Sequence, residues 1–483
     1  MMRQPLTKRL HVSWLIAAAS VGLVAGVMAV AAAPYGYFAH WSWLMAGLTL
    51  LPLFVKQQRW VILPALIAGL LLGLWRGSVG QVGLEQYQRL IGQTVQLSGR
   101  VLEDPDVDKR GQTLLRLGDI QVQGRNLPGK VWVVTAKNQT IKRSDIVTIE
   151  GKMSEGFAAF AGRIGRARVI SVERPTPGDV AVGVRDWFAE RVWQYLSEPA
   201  AALGMGFLTG LRRALPADLN EALQIAGLTH VIVASGYNLT ILVRLSRRLF
   251  VKMSKYLATL SAGLMVLSFM ALTGMSPSMS RAGLVAGLSL AVWYYGRQTH
   301  PLVLLPFAAA VTLLINPSYA WGDLGWQLSF SAFAGVMLLA PLLHGYFFGK
   351  KPPGTLRQIF GETLSAQIMT LPLLVLAFGT VSNVALLANM LILPFIPLAM
   401  LLTFLVGVLS GVPVVAELLA VPTEWLLQYM IYVAQWLAGQ SWAQVEVAIQ
   451  WWQAVLAYAV IAAAMWWMWR QTKVDVRKTN IVA

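Results

Sequence analysis

The sequence predicts a polytopic α-helical membrane protein of about twelve spans that carries a small extracytoplasmic β-barrel domain. Apolar residues make up 56% of the 483-residue chain. Charged residues make up 13%, about half the ~25% typical of soluble domains. One stretch of about ninety residues breaks this pattern and alternates apolar and polar residues with period two. The composition excludes a disordered chain, and the absence of cysteine excludes disulfides and thiolate metal sites.

Residues 1–83 are predicted to form three membrane spans. The first, about 12–33, carries no charge after His11 and is longer than the apolar core of a signal peptide. A cleaved signal is the less favoured interpretation, because more spans follow directly at about 41–55 and 60–75. Each of these two opens with a tryptophan, a residue typical of the membrane interface.

Residues 84–175 are predicted to form the β-domain, with about five strands. Short runs of period two, at 95–101, 130–134 and 145–150, are separated by turn signals such as Asp104-Pro105-Asp106. The length suits a small barrel such as an OB-fold, although five strands alone do not select that topology.

Residues 176–199 are predicted to form an amphipathic helix that is too charged to cross the membrane. Its apolar residues recur at helical spacing: Val184, Trp187, Phe188, Val192 and Leu196. We expect this helix to lie on the membrane surface beneath the β-domain. Packing against that domain as ordinary core is an equally open alternative.

Residues 200–483 are predicted to form a transmembrane domain of about nine further spans. They lie at about 225–243, 256–275, 280–296, 301–316, 323–346, 360–378, 383–410, 414–438 and 447–469. The chain begins with Arg3, Lys8 and Arg9, and the loop after every second span is also basic. Because cytoplasmic loops are rich in Lys and Arg, this pattern predicts cytoplasmic termini and an external β-domain. It also assigns most of the net charge of +17 to topology rather than to nucleic-acid binding.

Residues 227–236 form the most distinctive motif of the chain. Residues 227–236, Gly-Leu-Thr-His-Val-Ile-Val-Ala-Ser-Gly, resemble the signature of the ComEC family, the competence channels that import transforming DNA through the bacterial inner membrane. Other stretches are similar in the same order: 204–210, 273–274, 280–282, 316–317, 327–330, 367–372 and 389–394. In the β-domain, 99–101, 104–105, 145 and 151–152 look like that family's external OB-type domain.

The resemblance implies that the chain imports one strand of transforming DNA across the cytoplasmic membrane. It also implies a separate DNA receptor, a cytoplasmic motor ATPase and a separate nuclease as partners. Two features depart from the family. Asn238 stands where the family usually has a second histidine. The scattered histidines also lack the His-x-His-x-Asp-His run of the metallo-β-lactamase-like nuclease that many members carry.

We therefore expect no nuclease, no metal and no cofactor in this polypeptide. The sequence has no Gly-x-x-x-x-Gly-Lys-Ser/Thr nucleotide loop, which predicts a passive channel rather than an enzyme. The channel is expected to contact single-stranded DNA and membrane lipid, and the sequence does not define its oligomeric state.

A strand of DNA carries a charge on every nucleotide, so a conduit through the membrane needs a polar or cationic lining. The candidates for this path are His230, Ser235, Gly236, Asn238, Arg281, Gln327, Gln367 and Asn389. His230 and Asn238 are expected to share one helical stripe, and Gly227 to permit close backbone approach. Arg281 is expected to contact phosphate, with Asp323 as a structural partner for such a cation. Snorkelling of Arg281, and interhelical packing or hydrogen bonding for the other residues, are open alternatives.

The β-domain also offers candidates for binding DNA outside the membrane. They are Lys130, Trp132, Lys137, Arg163, Arg166 and Arg168. OB-type surfaces bind single strands by stacking bases on aromatic rings along a basic groove. A core position for Trp132 is equally open, and a docking or gating cap is another use for the domain.

Two other classes of function stay open. A secondary transporter of a small solute or lipid also needs broken helices and polar groups at the membrane midplane. Such a transporter typically has related halves, and the sequence shows no convincing internal repeat. A non-transporting scaffold for envelope assembly would use the β-domain for protein binding and would not need Arg281.

Overall fold

The computed structural model describes residues 9–108, 110–136, 141–211, 215–232, 236–274, 276–296, 300–349 and 354–472. The chain forms two compact units. The first consists of residues 1–179 with 300–327, and the second of residues 180–299 with 328–483.

The helices are named in chain order. They are α1 (Val12–Val30), α2 (Trp41–Leu50), α3 (Ile62–Gln81), α4 (Val180–Trp193), α5 (Ala200–Thr209), α6 (Ala217–Ile225), α7 (Thr229–Ile232), α8 (Gly236–Phe250), α9 (Lys255–Thr273), α10 (Pro277–Tyr294), α11 (Pro301–Ile315), α12 (Tyr319–Gly322), α13 (Leu324–Ala334), α14 (Ala340–Phe348), α15 (Thr355–Phe378), α16 (Ala385–Ile392), α17 (Ile396–Val408), α18 (Pro413–Ala438) and α19 (Trp451–Thr472). A π-turn, Gly335–Leu339, joins α13 to α14.

Eight helical segments in the described part of the chain are long and apolar enough to cross a membrane. They are Val12–Val30, Arg59–Arg89, Lys255–Thr273, Leu324–Phe348, Leu356–Phe378, Ala385–Gly411, Pro413–Ala438 and Trp451–Thr472. These segments coincide with eight predicted spans and confirm a polytopic membrane protein. The other predicted spans correspond to α2, α7 with α8, α10 and α11, which are not among the eight, so the count of about twelve stays a prediction.

The strands are β1 (Thr94–Val101), β2 (Asp106–Val107), β3 (Thr113–Val122), β4 (Arg125–Leu127), β5 (Val131–Thr135), β6 (Ile146–Glu155), β7 (Gly162–Glu173), β8 (Thr380–Ser382) and β9 (Gln444–Glu446). Five of them close a barrel in the order β1-β6-β7-β5-β3, because β3 also pairs with β1. Four of the five strand pairs in the barrel are antiparallel, and the pair of β5 with β7 is parallel. The structure thus confirms a small barrel domain of five main strands.

The barrel interior follows from the period-two pattern of its strands. Alternate residues of the strands point inward and are fully buried, among them Leu97, Leu115, Val133, Ile149 and Ile164. Their neighbours along each strand face outward, which places charged and aromatic side chains on the outer surface.

In the first unit, α1 packs against α3 through glycines. A Cβ at Gly22 would collide with the backbone carbonyl of Leu66, and one at Gly73 with that of Leu23. In α3, Gly69, Gly73 and Gly77 recur every four residues, the small-xxx-small pattern of close helix pairs in membranes. The Arg76 side chain of α3 donates to the carbonyls of Leu314 and Ile315 at 2.8 and 2.9 Å and so caps α11.

In the second unit, the predicted apolar face of α4 is buried in part, because Phe188, Val192 and Leu196 pack in the core of this unit. Val184 and Trp187 are exposed, whereas Arg185 is buried and pairs with Asp186 at 3.3 Å. Phe188, which belongs to the predicted face, packs against Gly407 and Phe404 of α17.

Candidate functional site

Gly227 ends α6 by adopting a left-handed conformation with a φ of 69°. Its amide donates to Gln224, and the amide of Leu228 donates to Leu223, so the last turn is closed by the backbone. A Cβ at Gly227 would lie 2.6 Å from the Cβ of Ala385 on α16. Gly227 therefore allows the close approach between chain segments that its position in the sequence motif predicts.

Residues 233–235, between His230 and Asn238, lie outside the described residues, so the predicted stripe of these two side chains stays a prediction. His230 is in α7 and bonds to the backbone of Gly227. Asn238 is in α8, is fully buried, and its Nδ2 donates to the carbonyl of Phe207 at 3.1 Å. Asn238 thus joins α8 to α5. Ser235 lies outside the described residues.

The guanidinium of Arg281 lies against the first residue of α8. A Cβ on Gly236 would be 3.1 Å from Nη2 of Arg281. Two rings flank the cation, with its Cζ 5.8 Å from the ring centre of Phe330 and 5.3 Å from that of Phe333. The Nε of Arg281 is buried and has no hydrogen-bond partner in the described part of the chain.

The electrostatics around Arg281 favour an anion. No carboxylate forms an ion pair with it among the residues that the structure describes. Among the described residues, this half-buried guanidinium therefore lacks the counter-charge that usually accompanies such a group.

Two amide side chains of the predicted path lie on neighbouring helices of the same unit. Asn389 of α16 is 4% exposed, and its Oδ1 has no hydrogen-bond partner within the described ranges. The Oε1 of Gln367 on α15 likewise has no hydrogen-bond partner within the described ranges. Ser365, two residues before Gln367, packs against Gly335 of the π-turn. A Cβ at Gly335 would collide with the backbone of Ser365. Gln367 therefore lies next to an irregular segment of helix, where π-turns often mark function.

Gln327 and Asp323 stabilise the turn between α12 and α13 in the first unit. The Nε2 of Gln327 donates to the carbonyl of Ala320 at 2.9 Å. Asp323 accepts the amide of Trp326 at 2.7 Å and thereby caps α13. Within the first unit, the cations that act on Asp323 are Lys130 and Arg116, and the pairing with Arg281 stays a prediction.

Trp132 lies on the outer surface of the barrel rather than in its core. Its ring meets those of Phe157 and Phe160 edge to face, at 5.6 and 5.1 Å between centres. Arg116, opposite Trp132 on β3, places its Cζ 5.4 Å from the ring centre and pairs with Glu103 and Asp106. Burial lowers the pKa of Arg116, but the charges of both carboxylates outweigh burial and raise this pKa above its ordinary value.

Trp132, Phe157 and Phe160 form an aromatic cluster, and residues of α12 partly cover its edge. Gly322 packs directly on the backbone of Ala158 and Ala159, between the two phenylalanines of the β6–β7 loop. The ammonium of Lys130 lies 5.8 Å from the ring centre of Tyr319. Phe157 nevertheless stays 45% exposed.

The basic candidates on β7 remain accessible. Arg163, Arg166 and Arg168 are all exposed, and Arg163 lies opposite Trp132 across the parallel pair of strands. Lys137 lies outside the described residues. Sequence reasoning missed Arg116, Phe157 and Phe160, although the period-two pattern of β3 already places Arg116 on the outward face.

Spanning helices and a closed barrel define a polytopic membrane protein with a β-barrel domain. A family model described as "Competence protein" matches residues 207–472, more than half of the chain. The chain therefore belongs to the competence protein family, and it is a ComEC-family competence protein.

Among curated proteins, the chain is similar to ComE operon protein 3 of Bacillus subtilis (strain 168). The two are 27% identical over 196 residues, which cover 40% of this chain and 24% of the relative. The match thus spans about a quarter of that relative's length. No solved structure matches the chain.

Proposed function

We propose that the chain conducts one strand of DNA across the cytoplasmic membrane into the cell during natural competence. The observation that carries the proposal is the half-buried guanidinium of Arg281 beside Gly236, whose Nε is buried without a hydrogen-bond partner and which has no carboxylate paired to it in the described ranges. Guanidinium binds phosphate oxygens bidentately, and a strand presents one phosphate per nucleotide. Membership in the competence protein family supports the same substrate.

The barrel is proposed to be an OB-type domain that meets the strand outside the membrane. The strand order β1-β6-β7-β5-β3, with its single parallel pair, supports this topology. Phe157 offers an exposed ring for base stacking, and the three arginines of β7 offer charges for phosphate.

The chain is proposed to be a passive channel of the cytoplasmic membrane, with both termini inside the cell and the barrel outside. The basic residues after every second predicted span support this orientation. A separate protein would then supply the driving force, and others would capture DNA and degrade the second strand.

Uptake of labelled DNA into the cytoplasm tests the proposal. Cells lacking the gene are complemented with the wild-type chain, Arg281→Gln or Arg248→Gln, and the membrane level of each protein is checked by immunoblot. Arg248 is an exposed arginine at the far end of α8 and serves as the matched control. We expect uptake to disappear without the gene and to fall at least about tenfold with Arg281→Gln, the effect of losing one charge-assisted hydrogen bond. Unchanged uptake in cells lacking the gene contradicts the proposal.

A further inference from the structure

The loop between β6 and β7, residues 156–161, carries two of the three rings of the aromatic cluster. Backbone hydrogen bonds fix its conformation. The amide of Phe160 donates to the carbonyl of Phe157 at 2.9 Å, and the amide of Ala161 donates to the carbonyl of Lys130, next to β5, at 2.8 Å. The loop is therefore a compact turn that holds both rings beside the barrel.

Gly322, the last residue of α12, packs on the backbone of this loop. A Cβ at Gly322 would lie 2.6 Å from the Cα of Ala159 and 2.7 Å from the carbonyl oxygen of Ala158. Both distances are shorter than van der Waals contact, so this approach requires a glycine. The β6–β7 loop and the end of α12 thus touch backbone to backbone.

Charges join the same two parts of the first unit. Asp323, which follows Gly322, interacts electrostatically with Lys130 and Arg116 of the barrel domain. The ammonium of Lys130 also lies 5.8 Å from the ring centre of Tyr319 in α12. Arg116 in turn packs on the tryptophan of the aromatic cluster. The carboxylate therefore links the start of α13 to two cations that border the cluster.

Hydrogen bonds make α12 and the start of α13 one rigid element with α11. The Nε2 of Gln327 donates to the carbonyl of Ala320, and the Nε1 of Trp326 donates to Oγ1 of Thr312 in α11, both at 2.9 Å. Asp323 accepts the amide of Trp326 and caps α13. A force on Gly322 is therefore transmitted to the first turn of α13.

The segment that begins directly after Asp323, Leu324–Phe348, is long and apolar enough to cross a membrane. The aromatic cluster is thus attached to the start of a spanning segment. We call this connection the barrel–α13 joint. It consists of Tyr319, Gly322 and Asp323 on one side and of Lys130, Arg116 and the β6–β7 loop on the other.

We infer that Gly322 and Asp323 are positioning residues for DNA import: they hold the aromatic cluster against α13, so that a strand stacked on Phe157 enters the membrane at that helix. The inference rests on the proposed function and adds a point of entry to it. Neither residue binds the strand, because a carboxylate repels phosphate and glycine has no side chain. A barrel that is separated from α13 should therefore still bind DNA and fail to deliver it.

Gly322→Leu tests the joint by steric separation. Because the new Cβ would meet backbone atoms, the β6–β7 loop must move away from α12. We expect uptake of labelled DNA to fall at least about tenfold, while the affinity of the purified full chain for a labelled single strand changes less than about twofold. Fluorescence anisotropy measures the affinity. Gly263→Leu on α9, where nothing lies within 4 Å of a Cβ, is the matched control and should equal the wild type in both measurements.

Asp323→Asn tests the charges without adding bulk, and it decides the matter if Gly322→Leu does not reach the membrane. Asparagine keeps an oxygen that can accept the amide of Trp326 and so preserves the cap of α13. We expect uptake to fall about two- to fivefold, as for the loss of a partly exposed ion pair, with unchanged affinity for DNA. Asp119→Asn removes an exposed carboxylate of β3 and should leave uptake at the wild-type level.

Hydrogen exchange of the full chain shows directly whether the joint is closed. Amides of residues 156–161 and 319–323 are expected to exchange faster in Gly322→Leu than in the wild type, because their contact is lost. The same amides should exchange at the wild-type rate in Gly263→Leu.

The outcomes separate the joint from the channel. Faster exchange with normal uptake in Gly322→Leu would overturn the joint and leave the channel standing. Uptake and affinity that fall together would also overturn it, because the two residues would then only shape the binding surface. Unchanged exchange in Gly322→Leu would overturn the contact itself. Normal uptake in cells without the gene would overturn the channel, and the joint with it.

Discussion

The guanidinium of Arg281 packs against Gly236, the first residue of α8, in a position that a side chain at residue 236 would crowd. A Cβ on Gly236 would meet Nη2 of Arg281 at 3.1 Å, closer than ordinary van der Waals contact. The glycine of the sequence motif therefore makes room for a cation of another helix.

Gly236→Leu is expected to displace Arg281 and to lower DNA uptake at least as strongly as Arg281→Gln. Overpacking of this kind costs about 1–3 kcal/mol and shifts the neighbouring side chain. Gly287→Leu on α10 is the matched control, because nothing lies within 4 Å of a Cβ at that position. Labelled-DNA uptake at equal membrane levels is the measurement, and equal uptake by the two leucine variants would contradict the account.

Gly73→Leu is expected to separate α1 from α3 and to destabilise the first unit. The Cβ would collide with the backbone of Leu23, which cannot rotate away as a side chain can, so the cost is about 3 kcal/mol or more. Protease resistance of the purified full chain in detergent measures the loss. Gly263→Leu on α9, where a Cβ meets open space, should keep the resistance of the wild type; the account fails if both variants are equally resistant.

Phe157→Ala is expected to weaken binding of single-stranded DNA by the full chain about 5- to 150-fold, because one base loses a stacking platform worth ~1–3 kcal/mol. Ile170→Ala removes a similarly exposed apolar side chain from β7 and serves as the control. Fluorescence anisotropy with a labelled oligonucleotide measures both affinities. If the two variants bind equally well, the aromatic cluster is not a binding surface.

Replacing Arg163, Arg166 and Arg168 together by glutamine is expected to reduce the salt dependence of the same binding. Each lost phosphate contact makes the slope of log affinity against log salt less negative by ~0.7, or about 2 for all three. Arg125→Gln changes an exposed arginine of the neighbouring β4 and should leave the slope unchanged. An unaltered slope in the triple variant would place the phosphate contacts elsewhere.

The parts of the fold that local pattern determines could be predicted from the sequence. The barrel strands alternate because one side of each faces a closed core, as at Leu115 and Arg116 of β3. Long apolar runs such as that of α18 identify spanning helices in the same way.

The parts that depend on a distant partner could not be predicted. The helical pattern of α4 predicts the inward positions of Phe188 and Val192, but it predicts neither the burial of Arg185 nor the exposure of Trp187. The cations that act on Asp323 within its unit, Lys130 and Arg116, come from the barrel domain, far away in the sequence, so the sequence does not identify them. The sequence identifies Arg281 as a candidate because an arginine within an apolar segment is energetically costly, and its role in the path stays a prediction.

Passage of single-stranded DNA into liposomes is the most direct test of the central claim. The purified full chain is reconstituted, labelled strands are added outside, and a membrane potential positive inside supplies the driving force. DNA protected from added nuclease is then measured. We expect protected DNA to accumulate with the wild-type chain and with Arg248→Gln, and to fall about tenfold with Arg281→Gln. Protected DNA no higher than in liposomes without protein would contradict conduction by this chain.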